Sequence, residues 1–206
     1  MCGICGIIKE EGKSVDINIL KSMTDSLIHR GPDDEGFFIE KEAGLGMRRL
    51  SIIDIHSGKQ PQATKDKSLH IIYNGEIYNY REIRKDLQSK GIQFATNSDT
   101  EVILEAYSYY KKECLNHFNG MFAIAIWDSK EKRLFLARDR LGVKPLYYSL
   151  LNDGTFIFAS EIKALLKYPE LKAQIDPSAI NNLLTFGFQL APKTFFNNVS
   201  QVLPGH

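Results

Sequence analysis

Cys2 is the residue from which chemistry can be built first. Its small side chain is expected to permit removal of Met1, leaving one residue that carries both a thiol and a free α-amine. An α-amine gives up its proton at about pH 8, far below a lysine, so it can act as base for its own thiol. The alternative is an accidental cysteine on a frayed terminus. The following GICGII (3–8) is small, apolar and glycine-rich, which suits a buried first strand better than a loose end. Asn74-Gly75 offers complementary chemistry. A side-chain amide and an adjacent backbone N–H, unobstructed by any side chain, can together hold a developing oxyanion. The same dipeptide is the strongest short hairpin signal, so turn and oxyanion hole both stand at this point.

Charged residues at predicted element edges add a second set. Arg48, Arg49, Glu76 and Asp99 read either as solvated or helix-dipole charges or as ligands for a free amino acid. Such a ligand needs a guanidinium fork for its carboxylate and an acid for its ammonium group. A rival constellation is Cys2-x-x-Cys5 with Cys114-x-x-His117, ligand types and local spacings found in tetrahedral zinc sites. The long separation between the pairs weakens it. Cys5 reads as a buried strand thiol, and no metal is expected.

The chain of 206 residues can bury a large core. Its 26 basic and 25 acidic residues are interspersed and leave a net charge of +1, which argues against nucleic acid or an anionic membrane as partner. No apolar run approaches the roughly 18 residues of a membrane span, and the N-terminus lacks a signal peptide's pattern. A cytoplasmic protein is expected, with its three cysteines as free thiols.

The elements that must position these residues follow from periodicity. Residues 16–29 predict an amphipathic helix with Asp16 as cap. Strands are predicted at 36–40, 45–54 and 69–73, and a short one at 92–96. Helices after Asn79 and after Ser98 carry the capping-box spacing with Glu82 and Glu101, and Gly91 closes the first of them. MFAIAIWD and RLFLARD predict a pair of strands around SKEK, and KPLYYSL and TFIFAS meet at Asn152–Gly154. MFAIAIWD is apolar at almost every position, so both its faces are expected to be covered. A short helix capped by Ser160 is predicted over 160–168. The fold class is α+β with strands predominating. The composition changes after Tyr168, which divides the chain into a domain over 1–168 and a tail over 169–206, with another domain expected to follow.

Taken together, the ordered blocks MCGICG (1–6), HRGPD (29–33), RRLSIID (48–54), YNGEIYNY (73–80), SDTEVIL (98–104), GMFAIAIWD (120–128), RDRLGVKPLYY (138–148) and FASEIKAL (158–165) resemble the class II glutamine amidotransferases. These belong to the N-terminal-nucleophile hydrolases, and the resemblance is nearest to the glutaminase domain of asparagine synthetases. It implies an αββα sandwich of two antiparallel sheets between helical layers. It implies that Cys2 attacks the side-chain amide of L-glutamine while Asn74 and Gly75 hold the oxyanion. Arg49 would grip the substrate carboxylate, and Glu76 and Asp99 its ammonium group. Backbone of Leu50, Ser51, Ile52 and Ile53 would line the pocket, with Arg30 and Gly31 in a nearby loop. No cofactor is implied for this domain; ATP and Mg are expected only on a synthetase domain that amidates aspartate, whose SGG-type loop this sequence does not contain. The tail resembles the connector to that domain. Other acceptors (an amino sugar, a phosphoribosyl or a β-lactam-forming partner), a non-catalytic or zinc-stabilised binding module, and a homodimer are alternatives that the sequence leaves open.

Overall fold

The computed structural model describes residues 1–50 and 58–206. Two antiparallel sheets lie face to face. The first contains β1 (Gly3–Ile8), β2 (Asp34–Glu40), β3 (Ala43–Arg49), β8 (Tyr147–Leu150), β9 (Phe156–Ala159) and β10 (Ser200–Gln201), in the order β10-β8-β9-β1-β3-β2. The second contains β4 (Gln62–Ala63), β5 (Leu69–Ile77), β6 (Gly120–Asp128) and β7 (Arg133–Arg138), in sequence order. The helices are α1 (Ile17–Asp25), α2 (Tyr80–Ser89), α3 (Asp99–Tyr110), α4 (Ile162–Leu165) and α5 (Pro177–Phe186), with a 3-10 segment at Lys111–His117.

Three cores make the layers. Between the sheets, Ile4, Leu45, Met47 and Phe158 of the first meet Ile72, Ala123, Ala125 and Trp127 of the second. On the outer face of the second sheet, Ile71, Tyr73, Ile124 and Ile126 pack under α2 and α3. Outside the first sheet, Cys5, Ile7 and Ile157 pack under α1 and α4. Strand β6 shows why its sequence is apolar throughout. Its odd positions enter the core between the sheets and its even positions the core beneath the helices, as the two-residue period requires. The αββα order implied by the resemblance is the one observed.

Several local expectations are corrected. Helix α1 ends at Asp25 rather than 29, although Asp16 caps it by accepting from Asn18 N at 2.8 Å. The Asn79 side chain does not cap α2; it accepts from Asn119 N and donates to His117 O, tying the helix entrance to β6. Residues 92–96 form no strand, because the Glu101 carboxylate accepts from Ala95 N and Thr96 N and takes the place of a ladder. Ser98 does cap α3, accepting from Glu101 N at 3.2 Å. Ser160 caps no helix. Its hydroxyl accepts from Ile4 N while its own N–H donates to Ile4 O, which fixes β1 two residues beyond Cys2. Beyond Tyr168 the chain forms α5 and then β10, which pairs with β8.

Candidate active site

Strand β1 begins at Gly3, paired with Arg48, so Cys2 stands at its end beside the end of β3. Three contacts hold it there. Arg30 Nε donates to Cys2 O at 2.9 Å, Ser160 fixes the amide of Ile4, and the Cys2 thiol faces Leu50 O at 3.8 Å. Arg30 is itself held by Glu161, whose Oε1 accepts from Arg30 at 2.9 Å and from His29 at 2.9 Å. Burial opposes ionisation of Glu161. The hydrogen bonds from Arg30, His29 and Lys163 outweigh it and hold the carboxyl at about 2. A Cβ on Gly31 would fall 2.4 Å from Arg48 C, so this turn lies directly on β3. The HRGP segment thus acts as a buttress for both Cys2 and the end of β3.

Asn74-Gly75 is not a turn. Strand β5 runs through it to Ile77, with Asn74 opposite Ala123 and Gly75 opposite Phe122. The local hairpin preference loses because glycine is needed for close approach here: a Cβ on Gly75 would stand 2.1 Å from Met121 O. The strand's hydrogen-bond period then aims the backbone. Tyr73 N donates to Gln60 Oε1 and Ile77 N to Asp99 Oδ2, both away from β6. Gly75 lies between them at the same phase, so its N–H points to the same edge. Phe122, its partner on β6, agrees, since its own N–H and C=O serve Asp139 on the far side. Strand β4 pairs with β5 at His70 and Ile71 and so does not reach Gly75. Beside it, the Asn74 amide nitrogen is buried, with the residue 1% exposed, and has no hydrogen-bond partner among the described residues.

These groups line one cavity of about 160 Å³. Its walls include Cys2, Arg49, Leu50, Asn74, Gly75, Glu76 and Asp99, together with Met1, Tyr73 and Lys144. That is below the roughly 300–1,000 Å³ of drug-sized sites, so the cavity suits a small molecule. Ser51, Ile52 and Ile53 lie outside the described residues. The two arginines divide by strand alternation. Arg49 faces the cavity, whereas Arg48 turns to Asp25 and Glu35 under α1. Asp99 opens α3 and is 6% exposed. Burial pushes its carboxyl above the ordinary range, against the hydrogen bonds that it accepts from Ile77 N and Tyr73 Oη.

Asp99 therefore carries a pH signature. A carboxyl raised in the folded state stabilises while protonated, and that contribution is lost as pH rises from the ordinary value of about 3.9 through the raised native one. Asp99→Asn keeps an oxygen for both donors, because both bond to Oδ2. The variant is expected to be more stable than wild type above this window and equally stable below it, read as urea midpoints against pH. A variant less stable at neutral pH would contradict the penalty.

Lys144 was not singled out by sequence. It follows β7 in a loop locked by Asp139, which accepts from Phe122 N, Leu141 N, Val143 N and Lys144 N. Nothing in its local pattern marks it as cavity-facing. The zinc constellation fails on geometry: Cys5 lies in the core under α1 and Cys114 in the core under α2 and α3, on opposite sides of the sandwich. Cys5 Sγ instead meets the Thr24 hydroxyl at 3.2 Å. Among the described residues no group of His, Cys, Asp and Glu could hold a metal, and no helix is long and apolar enough to cross a membrane.

Residues 1–206 match the glutamine amidotransferase domain family. Asparagine synthetase [glutamine-hydrolyzing] 3 of Bacillus subtilis (strain 168) is 41% identical over 210 residues, covering 100% of this chain and 34% of its own length. Asparagine synthetase [glutamine-hydrolyzing] 1 of the same organism is 42% identical, covering 100% and 33%. The chain thus spans about a third of the length of these curated relatives. Among solved structures, a glutamine phosphoribosylpyrophosphate amidotransferase from B. subtilis, complexed with ADP and GMP, superposes with a TM-score of 0.69 at 21% identity, over 85% of this chain and 46% of that one.

Proposed function

The chain belongs to the class II glutamine amidotransferase domain family, and from that premise we propose that Cys2, made N-terminal by removal of Met1, hydrolyses the side-chain amide of L-glutamine. The thiol proton passes to the α-amine as Sγ bonds to the amide carbon. The oxyanion is held by Asn74 Nδ2 and Gly75 N–H. As the carbon–nitrogen bond breaks, the α-ammonium gives its proton to the departing amide nitrogen, which leaves as ammonia, and the α-amine is restored. Water then cleaves the glutamyl thioester to glutamate and restores the thiol. Arg49 takes the substrate carboxylate, and Glu76 and Asp99 take its ammonium group. On this reading Asp99→Asn raises KM for glutamine on the order of ten- to a hundredfold, the loss of one charged hydrogen bond.

The observation that carries the reading is the buried Asn74 amide nitrogen, without a hydrogen-bond partner among the described residues, beside an N–H turned off the ladder in the wall of the cavity that Cys2 also lines. A buried donor left unmet costs about 1–3 kcal/mol, which is repaid when an oxyanion arrives. The ammonia produced is proposed to pass to a synthetase domain of the full-length protein, which uses ATP and Mg to amidate aspartate in the cytoplasm. The two Bacillus relatives, both named asparagine synthetases, support this acceptor over a phosphoribosyl one. The lower-identity structural likeness speaks for the fold alone.

Intact mass spectrometry with a glutamine-analogue electrophile tests the mechanism. The expected result is loss of Met1 and a single adduct on Cys2. Cys5 and Cys114 stay unlabelled, since burial pushes both thiols up to about 12. Retention of Met1 in active protein, or an adduct on Cys5, would sink it.

A further inference from the structure

Lys144 is a cation inside the cavity wall, 4% exposed. Among the described residues its ammonium meets the Met1 sulfur at 3.2 Å. A thioether is a weak acceptor, and this one is lost with Met1. The ammonium is then left in the wall of the cavity that Cys2 also lines, where it had touched the residue bonded to the Cys2 nitrogen. Its loop cannot withdraw it. Asp139 accepts from the Lys144 N–H, and Arg138 donates to Lys144 O at 2.7 Å and to Val202 O at 2.7 Å.

We infer that Lys144 is a positioning residue whose charge keeps the Cys2 α-amine unprotonated and ready to accept the thiol proton. The inference rests on the Cys2 mechanism proposed above. A positive neighbour disfavours a second positive charge, so an ammonium at Cys2 is destabilised relative to the free amine. The other charges that face this point are accounted for. Arg30 adds to the same effect through its bond to Cys2 O, although Glu161 offsets it. Arg49 from β3 shares the cavity with Glu76 from β5 and Asp99 from α3. Asp139 is satisfied by four N–H groups. Tyr73 stays neutral, because burial and the Asp99 charge push its hydroxyl up. Burial and the Arg30 charge lower the Lys144 ammonium, while Asp139, Cys2 and Glu76 support it.

The test compares wild type, Lys144→Met and Lys144→Arg as Met1-processed protein with cysteine labelled by 13C at Cβ. Cys5 and Cys114, both pushed up to about 12, stay silent between about pH 6 and 10, so the titration reads Cys2 alone. The lower titration midpoint is expected to rise by about one unit in Lys144→Met and to return in Lys144→Arg. The acid limb of kcat/KM for glutamine should move with it. An unchanged midpoint in Lys144→Met, or one that arginine does not restore, overturns the inference. Because the titration does not require turnover, absence of Cys2-dependent glutamate release would count against the proposed mechanism separately.

Discussion

Cys2→Ala abolishes glutamate release from glutamine, by at least about a thousandfold, with little change in the unfolding midpoint. Removal of a covalent nucleophile costs as much as removal of the whole catalytic set, since the remaining groups have nothing to activate. The fold should not notice. The thiol is only half-buried and its contact is one long approach to Leu50 O at 3.8 Å, whereas the main chain around it is held by Arg30 and Ser160. Alanine is small enough that Met1 is still expected to be removed, so the variant isolates the thiol from processing. Glutamate assay and intact mass are the two readouts. If the alanine variant turned over at the wild-type rate, the nucleophile would have to be sought among the hydroxyls of Ser98 and Thr100, which share the cavity.

What could be seen in advance depended on how local each determinant was. The layers were legible, because the strands and helices announce themselves by period and β6 by its doubly apolar faces. Cys2, Asn74, Gly75 and Asp99 were legible as chemistry, and the structure gathers them with Arg49, Leu50 and Glu76 around one cavity. Their backbone setting was not. Asn-Gly is a turn by local preference, yet here it continues a strand because Gly75 lies against Met121 O, a contact 46 residues away in sequence by the two residue numbers. Asn79 and Ser160 were read as helix caps, and each instead spends its side chain on a distant backbone. Lys144 was invisible for the same reason. A lysine in a loop is ordinarily solvated, and only the lock made by Asp139 and Arg138 turns this one inward.

Asn74→Ala separates catalysis from stability most sharply. The expected loss in kcat is about 10²–10³, the usual effect of removing one oxyanion donor, with KM little changed. The hydrogen bond from Asn74 Nδ2 to the substrate oxygen gains its strength only as charge develops on that oxygen. An interaction stronger in the transition state than in the ground state lowers kcat when deleted and leaves binding alone. The fold should lose little, because Nδ2 makes no hydrogen bond among the described residues, and deletion removes a buried donor that was unmet. A small cavity term works in the opposite direction. Asn74→Asp should be worse for turnover than alanine, since it sets an acceptor and a negative charge where the oxyanion must sit. Steady-state kinetics together with urea midpoints decide the matter. Should kcat and stability fall in parallel across both variants, Asn74 would be a structural residue of β5, and the Gly75 N–H would be left as the oxyanion donor on that edge.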